Sequence, residues 1–467
     1  MVLVRDLKKG CSIMGIDTQT NYGESYPKIL RYFYPEFITA LLLYSLPLLI
    51  DAYFIGNLKS TPSYAVHGAS QIFLHWIIKL AEAFLVSTLI LTGQFNGQQK
   101  FKQAGRVLQN SLWLMIVVGA LISCVLYFGA YWFYWWYDLS EELIYIGVPF
   151  LQLRAIGIFF MFVAFSFIGF LRGIKNTRVP MYIFVLGSTA FVFFDYLLVF
   201  GKCGLPEMGL YGSAVAYIIQ YVVMSIVAIA YMVYMPEISI YQIDLMPDFS
   251  KKKLQNLLKL SWPIMIDKSI IALSHIWLFQ RTALMGTCAL AGAKMLRDMM
   301  QFGFLPAVAF AQIITLLVSN DFGAKLWNNI RANLYKVFML ALLMVSILLI
   351  VFSLYPTCII ELFDRNGDFT ELAARAFPLL SVLVFFDVLQ LILAGALRGA
   401  KDVRIVMLTR IVVFTVYFVP VSYMISKYVH TTPLMKLVLL YASFFIGSLF
   451  MSLMYIYRFH NGKWKNN

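Results

Sequence analysis

Residues 169–181 read GFLRGIKNTRVPM and residues 395–407 read GALRGAKDVRIVM, with seven of thirteen positions identical at an offset of 226. The same offset carries Gly97, in TGQFNGQQ, onto Gly323, in VSNDFGAK, and Leu108 onto Leu334. Two separate blocks sharing one offset imply that half of the chain duplicates the other. Each LRG-x-K-x-x-R block lies where one long apolar run ends and the next begins. The arginines and lysines are expected to fix the cytoplasmic edge of the spans, and the glycines to let the turn close. In the first copy Pro180 opens the following span, where a missing N–H costs nothing.

Outward from these blocks, apolar runs recur near 36–56, 66–92, 107–134, 144–170, 180–200, 209–235, 260–284, 294–318, 333–355, 375–397, 405–427 and 434–457. A bilayer span needs roughly 20 mostly apolar residues. Of the 467 residues 61% are hydrophobic and 13% charged, and the mean hydropathy is +0.78. A soluble domain is nearer half apolar and a quarter charged. That balance excludes a soluble enzyme, a secreted disulfide scaffold and a disordered chain. The runs are long rather than alternating at period two, which excludes an outer-membrane barrel. The expected fold is an all-α polytopic membrane protein of twelve transmembrane helices. Six spans per copy leave both copies in one orientation, as parallel repeats. The expected divisions are an N-terminal segment 1–35, a lobe 36–235, a polar linker 236–259, a second lobe 260–458 and a tail 459–467.

Charge orders the connections. Twenty-four of the 37 basic residues fall at the termini (Arg5, Lys8, Lys9, Lys28, Arg31; Arg458, Lys463, Lys465) or in alternate connections around Lys100, Lys175, Lys251–Lys253, Lys325 and Lys401. Eight, including Lys59, Lys202, Arg365 and Lys427, lie in the other set, beside acids such as Glu141, Asp364 and Asp368. Positive residues stay cytoplasmic, so both termini are expected inside, in a plasma (bacterial inner) membrane. The formal charge of +14 is spread in these small clusters and does not point to nucleic acid. The five cysteines, Cys11 among them, are scattered and read as small hydrophobes rather than a disulfide or metal framework. No short apolar core precedes residue 36, so the first long run is expected to direct insertion. The linker, with Asp244, Asp248 and Lys251–Lys253, reads as a solvated cytoplasmic tether.

Ionisable groups at membrane depth are functional candidates. Asp51, in SLPLLIDAYFIG, lies one face-repeat after Pro47. It stands about 15 residues, roughly 22 Å, from the inner end of its span. Asp195, in VFFDYLLVFG, reaches a similar level on the fifth span. Facing one another, the two would form a site that takes up and releases a proton. In the second lobe Asp387 stands mid-span with Gln390 three residues on, and Asp267 is followed directly by Lys268. Lys79 and Glu82 are placed to pair with each other or to line a cavity. His67 and His75 are candidate partners for buried carboxylates, and Arg297 and Asp298 open the eighth span. The helix breakers Pro47, Pro263 and Pro306 recur at depth, where freed carbonyls are tolerated only beside neighbours or a water-filled cavity. The 16% of aromatic residues suits amphipathic or cationic ligands.

The chain resembles the multidrug and toxic compound extrusion (MATE) family of the multidrug/oligosaccharidyl-lipid/polysaccharide flippase superfamily. The resemblance is carried by PLLIDAYFIG at 47–56, TGQFNGQQ at 92–99, FLRGIKNTRVPM at 170–181 and GKCGLPEMGLYGSAVAY at 201–217. FLPAVAFAQIITLLVSNDFGAK at 304–325 and DVLQLILAGALRGAKD at 387–402 carry it in the second half. It implies two six-helix lobes in a V around a central cavity, and export driven by inward flow of H+ or Na+ with no other cofactor. By matching position, Asp51 corresponds to the family's first-helix carboxylate, Asp195 to its fifth-helix Asp or Asn, and Asp387 to the acid of a carboxy-terminal cation site, a candidate for Na+. The chain departs from the family at Phe191, where an Asn is frequent, and at Ile271, where a Glu would stand. Its acid, Asp267, comes a turn sooner.

These features lead to a monomeric secondary active antiporter for small molecules in the lipid bilayer. A lipid-linked precursor flippase is the alternative; Lys79 and Lys268 would then hold a phosphate. A membrane-embedded transferase is remote, because no HxxxD, HExxH or DxD cluster is present. No GxxxxGK[ST] loop is present for ATP.

Overall fold

In hydrocarbon every backbone N–H and C=O must be satisfied within its own segment, so apolar runs of this length become helices. The computed structural model describes residues 22–466 apart from 59, 137–138, 245, 247–250 and 362–368. Arg5, Lys8, Lys9, Cys11, Lys59, Asp248, Asp364, Arg365 and Asp368, and the side chains of Lys251–Lys253, lie outside the described residues. The chain divides into two compact units. One is Tyr34–Met265; the other is Ile266–Asn467 together with the residues up to Phe33.

The first unit draws on α1 (Tyr26–Tyr44), α2 (Leu46–Asn57), α3 (Thr61–Gly97), α4 (Phe101–Trp136), α5 (Glu141–Gly173), α6 (Arg178–Phe200) and α7 (Leu210–Tyr234). The second draws on α8 (Lys251–Ala283), α9 (Thr287–Gly323), α10 (Trp327–Leu354), α11 (Pro356–Glu361), α12 (Thr370–Ser381) and α13 (Val384–Gly399). It continues with α14 (Val403–Val412), a π-helical stretch at Val413–Phe418, α15 (Val419–Tyr428) and α16 (Pro433–His460). Helices thus stand at all twelve expected positions. Ten of them, counting α1 with α2 and α14 with α15 as single spans, are long and apolar enough to cross a membrane, and α12 with α13 make an eleventh bent by 51°. Helix α8 is not among them, because Asp267, Lys268 and His275 lower its mean hydropathy.

The duplication is visible in the packing. Helix α5 crosses α3 so closely that a Cβ on Gly169 would lie 2.6 Å from the Leu85 carbonyl oxygen, and one on Gly173 2.6 Å from Thr92 Cβ. Helix α13 crosses α9 in the same way: Cβ atoms on Gly395 and Gly399 would lie 2.8 Å from the Ala311 oxygen and 2.9 Å from Val318 Cβ. Leu85 and Ala311, like Thr92 and Val318, are themselves one repeat offset apart. The repeat glycines therefore permit a helix crossing. The turns that they were expected to close are closed by Lys175 and Lys401, with φ of 64° and 65°. In each turn the N–H three residues past the helix donates back across it, Asn176 to the Leu171 oxygen at 3.0 Å and Asp402 to the Leu397 oxygen at 2.9 Å. Gln99 and Lys325, again one offset apart, close the α3 and α9 ends with φ of 58° and 59°. Gly173→Val is expected to overpack the α3–α5 crossing and cost about 1–3 kcal/mol, read as a lower midpoint of thermal unfolding in detergent. An unchanged midpoint would mean that α5 can shift away without loss.

The repeat arginines also correct the expectation that they merely mark the water edge. Arg172 is buried and grips Glu36 on α1 through two contacts, Nε to Oε1 at 3.0 Å and Nη2 to Oε2 at 2.7 Å. Arg398, its counterpart, is buried against Asp267 on α8. Nor is the segment 236–259 a wholly solvated tether. Residues Pro236–Tyr241 form a 3-10 turn with Ile238 and Tyr241 buried, and Tyr241 donates to Asn96 Oδ1 at 2.9 Å.

Candidate functional site

The short helix α2 begins after a break at Ser45 (φ −136°, ψ −69°), with Pro47 in its first turn. Pro47, Asp51 and Ile55, spaced four apart, form its buried face. That face packs on α3 and α6. Asp51 is 1% exposed and is surrounded by donors from three other helices. Arg154 Nη2 on α5 donates to its Oδ2 at 2.9 Å, His67 Nε2 on α3 to the same oxygen at 3.1 Å, and Ser213 Oγ on α7 to Oδ1 at 2.6 Å. Arg154 also donates to Ser213 Oγ at 2.9 Å, and its guanidinium carbon lies 4.5 Å from the centre of the Tyr217 ring. A buried charge is stable only when paired and hydrogen-bonded, and this carboxylate meets that requirement fully. A cavity of about 30 Å³ lies beside it, lined by Pro47, Asp51, Arg154, Phe191, Tyr217 and Gln220 among others. That volume accommodates a water molecule or two.

Asp195, on α6, is fully buried. Neither of its carboxylate oxygens has a hydrogen-bond partner among the described residues. It lies within electrostatic reach of Asp51 and Arg154. Arg154, which donates to Asp51 and lies within electrostatic reach of Asp195, joins the two acids that the sequence offers as a pair. Arg154 went unread in the sequence, although an arginine in the middle of the apolar run 144–170 is itself the signal of a functional intramembrane charge. His67 was read as a partner for a buried carboxylate, and it is one.

The Lys79–Glu82 pair forms as spaced: Lys79 Nζ donates to Glu82 Oε1 at 3.1 Å. Tyr44, the last residue of α1, donates to the same oxygen at 2.6 Å. The lysine sits 3.9 Å over the Tyr44 ring, so these residues clamp the end of α1 next to the break.

In the second unit Asp267 is 1% exposed and is held by Arg398 of α13 and Arg410 of α14. Lys268 is half-buried beside it. Arg410, like Arg154, was missed in its apolar run. Asp387 opens the second half of the bent span; it accepts from Ser448 Oγ of α16 at 2.8 Å and lies within electrostatic reach of Arg410. Gln390 is buried, and its amide nitrogen has no partner among the described residues. Asp387 and Ser448 thus stand together, with Gln390 three residues on from Asp387 along α13. Among the described residues no three His, Cys, Asp or Glu side chains converge as a metal site. Pro263 and Pro306 are buried inside α8 and α9. Arg297 and Asp298 are half-buried on α9, and His75 is half-buried on α3.

A helical bundle built of a duplicated half, with helices long and apolar enough to cross a bilayer and buried acids answered by arginines, defines a multi-pass membrane protein. The MatE family pattern matches residues 37–197 and 263–424. The chain therefore belongs to the MatE family. It is 22% identical over 417 residues, 89% of this chain and 88% of that one, to a probable multidrug resistance protein NorM of Thermotoga maritima. It is 23% identical to a multidrug resistance protein NorM of Photobacterium profundum over 87% of this chain and 89% of that one. The fold is similar to an outward-facing multidrug resistance MATE family transporter of the MOP superfamily, with a TM-score of 0.86 at 18% identity over 98% of this chain and 99% of that one.

Proposed function

We propose that the chain is a monomeric secondary active antiporter of a bacterial inner membrane. It exports amphipathic or cationic small molecules in exchange for H+ or Na+ by alternating access. In this reading the lobes 36–235 and 260–458 form the two halves, both termini are cytoplasmic, and Asp51, Asp195 and Asp387 are the coupling acids. The single observation that carries it is Asp195, a buried carboxyl group with no donor among the described residues, within electrostatic reach of an Asp51 that has three. A group so placed changes state when a proton or a cation arrives, and Asp51 holds the frame that feels the change. The multidrug resistance names of the relatives support the substrate class. A lipid-linked precursor flippase would call for cationic groups free to meet a phosphate, whereas the buried arginines here are matched by carboxylates.

Everted vesicles carrying an imposed proton gradient are expected to lose it when ethidium, a lipophilic cation, is added. The assay is run with and without sodium to separate the two ions. Asp195→Asn is expected to lower this flux by about tenfold or more, a coupling of the usual size, while leaving the protein folded, since no hydrogen bond is lost. A fully active Asp195→Asn variant would sink this assignment, and a sodium-only response would assign the ion to Na+.

A further inference from the structure

Two buried acid–arginine groups stand in this chain, one in each compact unit, the second with an additional arginine, Arg398. Each has one carboxylate held by arginine and a second carboxylate near that arginine but not bonded to it. In the first unit the held acid is Asp51 and the other Asp195; in the second they are Asp267 and Asp387. Each arginine also keeps an unspent buried donor among the described residues, Nε of Arg154 and Nη2 of Arg410. An arginine has five N–H donors in a rigid fork, more than one carboxylate uses. The two arrangements do not follow from the duplication, since Arg154 and Arg410 do not stand at the repeat offset. The arrangement thus recurs without being inherited at matching positions.

We propose that Arg154 is a counter-ion shared between Asp51 and Asp195, a positioning residue that converts ion arrival at Asp195 into a change at Asp51. This rests on the antiport reading above and adds to it the part that moves. When Asp195 is ionised, a carboxylate without a partner stands beside a guanidinium with an unspent N–H, and the guanidinium is drawn toward both acids. When Asp195 takes a proton from the aqueous side, one O–H bond forms and its charge is gone. Arg154 then belongs wholly to Asp51, Ser213 and the Tyr217 face, the arrangement observed. Release of that proton reverses the step, and Na+ at Asp195 acts by the same cancellation of charge.

The charged and titratable groups around Arg154 are few. Asp51 comes from α2, His67 from α3, Tyr134 from α4, Asp195 from α6, and Tyr217 and Tyr221 from α7. Of these only Asp195 has both polar atoms unmatched among the described residues. Tyr134 shares a hydrogen bond with Ser70 at 2.6 Å, and Tyr217 Oη lies 3.7 Å from Met161 Sδ. A small cavity borders both Asp51 and Arg154, so the guanidinium is not packed against protein on every side.

The test compares Arg154→Gln, Arg154→Lys, Asp195→Asn and the double variant Arg154→Gln/Asp195→Asn in reconstituted vesicles, with ethidium as probe. Proton flux is followed across a series of pH values, and ethidium binding is measured separately in detergent. Asp195→Asn is expected to flatten the pH dependence. Arg154→Gln is expected to flatten it equally, with flux down about tenfold and ethidium binding within about twofold of the parent; the double variant should be no flatter than either single. Arg154→Lys keeps the charge but not the fork, and is expected to restore folding without restoring the slope. It serves as the informative variant if Arg154→Gln fails to fold. A parental slope in Arg154→Gln or Arg154→Lys, with Asp195→Asn flat, would overturn the shared counter-ion and leave antiport standing. A parental slope in Asp195→Asn itself would overturn the coupling assignment beneath it.

Discussion

Asp267→Asn is expected to be the most damaging single substitution at the second unit's acid cluster. Arg398 and Arg410 converge on that one buried carboxylate from two different helices. Removing its charge while keeping its shape leaves two guanidinium groups side by side with no anion in contact. Breaking a buried pair typically costs about 3–5 kcal/mol, because the surviving charge is uncompensated. Here two charges survive, so a loss at the upper end of that range is expected. The measurement is the yield of monodisperse protein and its thermal midpoint in detergent. Asp267→Asn/Arg410→Gln should recover part of the loss by removing one of the two like charges. Were the single variant as stable as the parent, the triad would be incidental to the fold, and α8, α13 and α14 would be held by apolar packing alone.

Asp51→Asn carries the second large effect, and it acts on both stability and transport. The asparagine keeps the acceptor oxygen that Ser213 uses but presents no charge to Arg154, which is 2% exposed. A loss of about 3–5 kcal/mol is expected from the stranded guanidinium, together with loss of ethidium-driven proton flux to the level of protein-free vesicles. The two effects separate in Asp51→Asn/Arg154→Gln. There the charges leave as a pair, so stability should return while flux should not. Recovery of flux in that double variant would mean that Asp51 serves only to neutralise Arg154. A destabilised but fully coupled single variant would point the same way.

Much of the fold was open to reading before any coordinates. All twelve apolar runs became helices, and the LRG repeat marked the duplication that the α3–α5 and α9–α13 crossings display. The role of the repeat residues was misread. Short glycines were assigned to the turns because turns commonly need them, yet the left-handed positions fall on Lys175 and Lys401 while the glycines face a neighbouring backbone. Nothing in the thirteen-residue block says which neighbour it will meet. The acids were legible for a simple reason: a carboxylate in an apolar run is conspicuous. Arg154 and Arg410 are just as conspicuous by that rule.

What the chain's sequence determined by itself is local. About twenty contiguous residues suffice to commit a segment to the bilayer, and a copied block shows its duplication without any partner. The pairing of charges is not local. Arg154 reaches Asp51 across 103 positions, Ser213 across 162, and Arg398 and Arg410 reach Asp267 across 131 and 143. Each helix carries a charge that is unfavourable in hydrocarbon until another helix answers it. Which helix does so depends on helix rotation and crossing, properties of the assembled bundle. The spans were therefore written in sequence, and the acid–arginine groups were settled only by packing.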